Sequence, residues 1–410
     1  MMNFQVSSVE RLGYVFLVSM PPVSLLSIFK ITQIGGLSIR PIDILFLCLL
    51  CLWILQIMQL GKIHKNLATL FVSLTIFFFV TLLGGLFTYD DNFNAPKYIR
   101  FVQTMLWGMF ALAFIDNEEK LNRLLANITA AGVILAVSSI YIFLTIPGLH
   151  RIGGFISFAD GEGSDRQDSY NEVGALYALV VSIFLWRHYK NLLSKLDFLK
   201  ISIVLFGMIL AQSRSSFVAL ALAILFLLSF DILNIRAAKV TKKSIRLIIA
   251  IMAATVGAIF FAEYLTINRL TDSFNNSSSA NASTNIRFYL WGKGFSLLEQ
   301  NVGTLFLGYG NALFTRKLGA ASTDNFFLDS ALSVGIIGTV VILAIILTPS
   351  LTVWKAGRYS RHACLGVLVT IVALTVSLTG NVVVDPMYGG ITFLLLYALV
   401  SVQVSTKRAR

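Results

Sequence analysis

The chain has 410 residues, of which 57% are hydrophobic and 13% charged, and its formal net charge is +12. Soluble domains carry charge on roughly a quarter of their residues, so this composition excludes an ordinary water-soluble enzyme. Repeated apolar runs long enough to cross about 30 Å of hydrocarbon specify an all-α polytopic integral membrane protein.

Twelve spans are predicted, at residues 12–32, 41–60, 66–87, 99–116, 124–146, 171–186, 198–213, 215–231, 245–265, 326–350, 363–379 and 389–404. The sixth to eighth are short, which leaves a range of eleven to thirteen. No short apolar core followed by a small-residue cleavage site opens the chain, so no removable signal peptide is expected. Lys and Arg accumulate on the cytoplasmic side of a membrane protein. With the N-terminus inside, Lys62, Lys65, Lys120, Arg123, Arg187, Lys195, Lys200, Arg236, Lys243, Lys355 and Arg361 all fall in inner connections, and Lys407, Arg408 and Arg410 close an inner tail. The basic excess is therefore topological and implies no nucleic-acid partner. Both termini are expected in the cytoplasm.

The chain divides accordingly. Residues 1–265 hold the first nine spans with a smaller outer loop at 147–170, residues 266–325 form a large outer loop, and residues 326–410 hold the last three spans and the tail. Most acids fall on the outer side, including Asp160, Asp165, Asp272, Asp324 and Asp329. The large loop begins with a Ser- and Asn-rich tract at 273–285, which is expected to be mobile. Residues 286–298 are compatible with a short helix at the membrane interface, anchored by Phe288, Tyr289 and Trp291.

Familiar catalytic signatures are mostly missing: there is no phosphate-binding glycine loop followed by Lys and no paired-His metal motif. Cys48, Cys51 and Cys364 lie in apolar runs and read as packing residues, and neither metal nor cofactor is expected. The outer side instead carries arginines: Arg151, Arg214, Arg269, Arg287 and Arg316. Arg214 sits among Gln212, Ser213, Ser215 and Ser216 in a polar turn between two spans. It either snorkels to a headgroup or holds an anionic ligand, for which its planar fork suits phosphate oxygens. Arg287 and Trp291 are four apart and share a helix face, which suits a lipid phosphate or a sugar ring, or else a surface anchor. Thr323 or Asp324 is a good N-cap for the span beginning at Phe326, and Asp329 lies one turn inside on the face of Asn325. Two acids and an amide there could equally activate a hydroxyl or orient a sugar.

At these residues the chain resembles the O-antigen ligase and O-antigen polymerase (Wzy) superfamily. The ligase signature is His, then Asn, Ser or Gln, nine residues, Gly, two residues, and Gly, Thr or Tyr. Asp324, Asn325, Gly335 and Gly338 keep that spacing with Asp in place of the histidine. Arg214 to Val218 resembles the family's Arg-x-x-x-Leu turn, Arg287 and Trp291 its Arg and Trp at the start of a loop helix, and Leu307, Gly308, Tyr309 and Gly310 its small glycine turn. Asn171 and Gly174, following Arg151, Ile152, Gly153 and Gly154, also have the family look. The resemblance implies a GT-C-like, metal-independent glycosyltransferase of the bacterial inner membrane with its active face periplasmic. The missing histidine favours a polymerase over a ligase. The catalytic residues implied are Asp324, Arg214 and Arg287, and substrate would be bound by Arg151, Asn171, Trp291, Tyr309, Asn325 and Asp329. The partners implied are undecaprenyl-diphosphate-linked glycans as donor and acceptor, membrane lipids and a chain-length regulator. The rivals are a ligase acting on lipid A core and a transporter or flippase, although the polar groups gather at one face instead of the membrane midplane.

Overall fold

The computed structural model describes residues 2–26, 31–34, 37–60, 95–146, 152, 168–189, 194–233, 278–310, 317–320, 322–357, 360–380 and 388–408. Among these the chain forms twelve helices and one β-hairpin. The helices are α1 (Met2–Leu25), α2 (Pro41–Leu60), α3 (Ala95–Phe114), α4 (Glu118–Thr145), α5 (Asp168–Tyr189), α6 (Lys195–Ala211), α7 (Arg214–Leu233), α8 (Ser278–Glu299), α9 (Val302–Leu307), α10 (Phe326–Ala356), α11 (Arg361–Ser377) and α12 (Tyr388–Arg408). Four are long and apolar enough to cross a membrane, over Pro41–Met58, Glu118–Thr145, Phe326–Ala356 and Tyr388–Thr406. The spans expected at 66–87 and 245–265, and nearly all of the loop expected at 147–170, lie outside the described residues.

Two expectations are corrected. The first span was expected to run to residue 32, but α1 ends at Leu25 and a hairpin follows, with β1 (Thr32–Ile34) antiparallel to β2 (Leu37–Ile39) and Ile34 opposite Leu37. The β-branched residues Ile31, Thr32, Ile34 and Ile39 flank a glycine pair in the sequence, which is a hairpin pattern and not a helical one. The loop helix is also longer than expected. It starts at Ser278 and so takes in most of the Ser/Asn tract. Gly294, Leu297 and Leu298 of α8 are buried, and Gly294 faces Leu328 and Leu332 of α10. This packing fixes the C-terminal half of α8, from which each further residue toward Ser278 adds one backbone hydrogen bond without a new nucleation cost.

Helices α5 and α12 are the interior of the bundle. Residues 173–186 and 388–402 are buried on every face, as expected of helices apolar all round. Helix α12 packs along α3, with Gly108 admitting the ring of Tyr397, and α5 packs between α6, α7 and α11. The outer helices present apolar side chains outward, among them Leu47 and Met58 of α2 and Tyr141 and Leu144 of α4. A lipid-facing surface needs this character.

Cross-helix bonds fix which helix ends lie together. The Trp186 indole donates to the Arg361 carbonyl at 2.6 Å, joining the end of α5 to the start of α11. Ser350 of α10 donates to Gly366 of α11 at 2.9 Å, so those two helices run antiparallel. Gln56 of α2 donates to the Ala113 carbonyl of α3, and Lys120 of α4 lies over the Tyr14 ring of α1. One end of the bundle therefore collects Lys120, Arg123, Arg187, Lys195, Lys355 and Arg361. The opposite end collects the starts of α2, α3, α5, α7 and α10.

Candidate active site

The turn between α6 and α7 is built against the first turns of α5. Gln212 takes the left-handed conformation (φ 51°) and ends α6. Ser213 then accepts from the Ser216 amide through its carbonyl at 3.1 Å and from the Ser216 hydroxyl through Oγ at 2.8 Å. Its own hydroxyl approaches Asn171 Oδ1 at 3.5 Å. Gly174 lets this happen, since a Cβ there would lie 2.5 Å from Ser213 Cβ and 2.7 Å from Ser216 Oγ. Asn171, Gly174 and Arg214, which are scattered in sequence, are thus brought together. Arg214 is the half-buried first residue of α7. A cation is disfavoured at a helix N-terminus by about 0.3–1 kcal/mol, so helix formation is not what selects arginine there. The buried Ile152 amide donates to the Leu210 carbonyl at 3.0 Å, which carries the chain just after Arg151 to the same turn. Arg151 itself lies outside the described residues, as do Arg269 and Arg316.

A second cluster forms the corner before α10. Asn325 is the N-cap, with its Oδ1 accepting from the Phe327 and Leu328 amides at 3.1 and 3.2 Å. Neither Thr323 nor Asp324 does that work, which corrects the expectation from sequence. Asp324 is in the left-handed conformation (φ 56°) and its carboxylate takes the Arg287 Nε–H at 3.1 Å. The two side chains keep 30% and 34% of their surface exposed, so both remain reachable. One turn along α8, the Trp291 indole donates to the Thr323 carbonyl at 2.9 Å. Arg287 and Trp291 therefore share a face, as the spacing predicts, but Trp291 turns inward to the corner. The exposed aromatic side chains of α8 are Phe288, Tyr289 and Phe295.

Asp329 is buried, with 5% of its surface exposed. Its Oδ1 takes the Thr323 amide and hydroxyl, both at 2.8 Å, and its Oδ2 takes the Ser322 hydroxyl at 2.6 Å. Tyr309 is also buried. Its hydroxyl donates to the Leu297 carbonyl at 2.7 Å, its amide donates to the Leu332 carbonyl at 2.7 Å, and Lys317 Nζ sits 4.4 Å from its ring centroid. As placed, Tyr309 ties α8, the glycine turn and α10 together. That turn lies in a kink of α10 at Gly335, whose φ of 69° and ψ of 179° interrupt the helix. The spacing between Asn325 and Gly335 is thus the length of a short first segment of α10 with a cap at one end and a break at the other.

One ionic group at this end was missed from sequence. Asp43 near the start of α2 forms an ion pair with Arg100 of α3, accepts from Arg100 Nη2 at 2.9 Å and Gln103 Nε2 at 2.8 Å, and takes the Arg40 amide at 2.8 Å. Its signal was available: an acid and a base, each within the first turns of a predicted span, are costly in a membrane unless they meet.

Among the described residues the fold is nearly all helical, with four membrane-length apolar helices, which is the organisation of an integral membrane protein. Residues 199–343 match the family model described as Wzy_C, O-Antigen ligase, and this match supports membership of the O-antigen ligase/polymerase superfamily. The matched stretch contains Arg214, Arg287, Trp291, the Asp324 corner and the Gly335 kink. A comparison with curated proteins finds no match.

Proposed function

We propose that this protein is a glycosyltransferase that polymerises lipid-linked oligosaccharide repeat units. It would transfer a growing glycan from undecaprenyl diphosphate to the non-reducing end of a second lipid-linked unit. The observation that carries the reading is the half-exposed pair of Arg287 and Asp324, held by α8 against the start of a membrane-length helix. In this reading the acceptor hydroxyl oxygen attacks the anomeric carbon of the donor, the bond to the diphosphate breaks, and Asp324 takes the hydroxyl proton. Arg287 and Arg214 bind the diphosphate and stabilise the charge it gains as it leaves. Arg151 would join them on the diphosphate, and Asn171 and Asn325 would bind the rest of the substrate. Both substrates are confined to one membrane surface, which lowers the entropy lost on aligning them. The end of the bundle carrying these groups faces the periplasm, the basic end faces the cytoplasm with both termini, and the complete chain crosses the inner membrane about twelve times, with residues 266–325 as the large periplasmic loop. A chain-length regulator is the natural protein partner.

The description of the matched family favours a second reading, a ligase that moves finished glycan to lipid A core. Asp324 in place of the signature histidine speaks for the polymerase. A deletion strain separates the two: loss of a polymerase leaves core capped with single units, and loss of a ligase leaves long chains on the carrier lipid. Arg214→Ala or Arg287→Ala should retain protein in the membrane and give single-unit glycan. Wild-type chain lengths in both variants would remove the diphosphate role.

A further inference from the structure

The groups that fix the Asp324 corner include a buried acid to which the proposed reaction gives no chemical task. The peptide between Thr323 and Asp324 is held at both edges. Its carbonyl accepts from Trp291 Nε1 at 2.9 Å, and its N–H donates to Ser322 Oγ at 2.9 Å. Ser322 can present its oxygen to that N–H because its own proton goes to Asp329 Oδ2 at 2.6 Å. The other oxygen of Asp329 receives both donors of Thr323 at 2.8 Å. A carboxylate is suited to this task because it is an acceptor on both oxygens, and charge-assisted bonds are about twice as strong as neutral ones. An amide in its place would turn a donor toward Ser322 or Thr323. The held peptide leads into Asp324 at φ 56°, a conformation that costs a non-glycine residue roughly 1–2 kcal/mol and persists only where its surroundings impose it. This conformation brings the Asp324 carboxylate to Arg287.

We infer that Asp329 is a positioning residue: through Ser322 and Thr323 it fixes the Thr323–Asp324 peptide, and so sets where the Asp324 carboxylate stands relative to Arg287 and the incoming acceptor. It touches no substrate. The inference rests on the reading of Asp324 as the group that receives the acceptor proton.

The test uses the full-length protein in nanodiscs with undecaprenyl-diphosphate-linked repeat units purified from a deletion strain. Rates are expressed per folded molecule. Asp329→Asn and Ser322→Ala should each lower kcat by on the order of ten- to a hundredfold while KM moves by less than about twofold, and Ser322→Thr, which keeps the hydroxyl, should restore most of the rate. In an Asp324→Ala background Ser322→Ala should add no further loss, because residues acting through one group are non-additive. Full activity of Ser322→Ala and Asp329→Asn beside an Asp324→Ala reduced to a low residual rate would overturn the positioning role and leave the proposed function standing. An active Asp324→Ala would instead overturn the role of Asp324 itself. If both corner variants fail to accumulate as folded protein, or if they lose rate additively with Asp324→Ala, the corner serves stability alone and the inference is wrong.

Discussion

Gly308 and Gly335 meet backbone to backbone. A Cβ on Gly308 would stand 2.5 Å from the Ser333 carbonyl and 2.6 Å from Gly335 N, and one on Gly335 would stand 2.1 Å from the Phe306 carbonyl oxygen. Two hydrogen bonds cross beside them, from Tyr309 N to Leu332 O at 2.7 Å and from Gly310 N to Ser333 O at 3.0 Å. The break in α10 thus frees helical carbonyls that the glycine turn then satisfies, as buried backbone groups require.

Gly335→Ala is therefore expected to destabilise the protein severely, by more than about 3 kcal/mol, because both the φ of 69° and the contact with backbone exclude a side chain. Gly292→Ala is the contrast: that position on α8 has open space around it, and alanine should leave stability unchanged or raise it by about 0.5–1 kcal/mol. Thermal unfolding in detergent should show a large drop in midpoint for Gly335→Ala and none for Gly292→Ala.

Asp43→Asn should cost about 3 kcal/mol, near the low end for breaking a buried pair. Arg100 would keep its charge with only 16% of its side chain exposed. Replacing Asp43 and Arg100 together by Asn and Met should recover part of that loss. A double-mutant cycle on unfolding midpoints measures the coupling, and independent additive losses would show that the pair does not join α2 to α3.

Asp197, just before the apolar run of α6, gives a pH dependence. Burial pushes its carboxyl up, but the Ser194 amide and hydroxyl, at 2.8 and 2.9 Å, together with Lys200, outweigh burial and hold it below the usual carboxylate range. A carboxyl depressed in the folded state contributes stability that is complete above its unfolded value, about 3.9, and is lost as pH falls through the folded value. Unfolding midpoints should therefore drop in this acid window by an amount that Asp197→Asn removes. The loss is worth about 1 kcal/mol for a helix-start interaction of this kind.

Much of the helical architecture was legible because apolar runs bounded by polar residues leave few alternatives in a membrane protein. The span expected at 41–60 is α2 to the residue, and the one expected from 326 begins where α10 does. What sequence reasoning missed depends on partners far along the chain. Trp291 reads as an interfacial anchor until Thr323 offers it a carbonyl 2.9 Å away. Asp324 reads as a helix cap until Asn325 takes the cap and Arg287 takes Asp324. Asp43 and Arg100 went unpaired in the sequence because they lie 57 positions apart. Asn171, Gly174 and Arg214 were legible as separate motifs, but only the fold shows that the glycine makes room for the serine turn.

The central claim is that Asp324, presented beside Arg287, receives the acceptor proton during glycan transfer. The most direct measurement is chain extension by purified protein in nanodiscs, supplied only with undecaprenyl-diphosphate-linked repeat units, comparing wild type with Asp324→Asn. Asparagine tolerates the left-handed backbone at this position and keeps the shape of the side chain. The account predicts a ladder of lengthened lipid-linked glycans from the wild type and unextended single units from the variant at equal levels of folded protein. A full ladder from Asp324→Asn would contradict it.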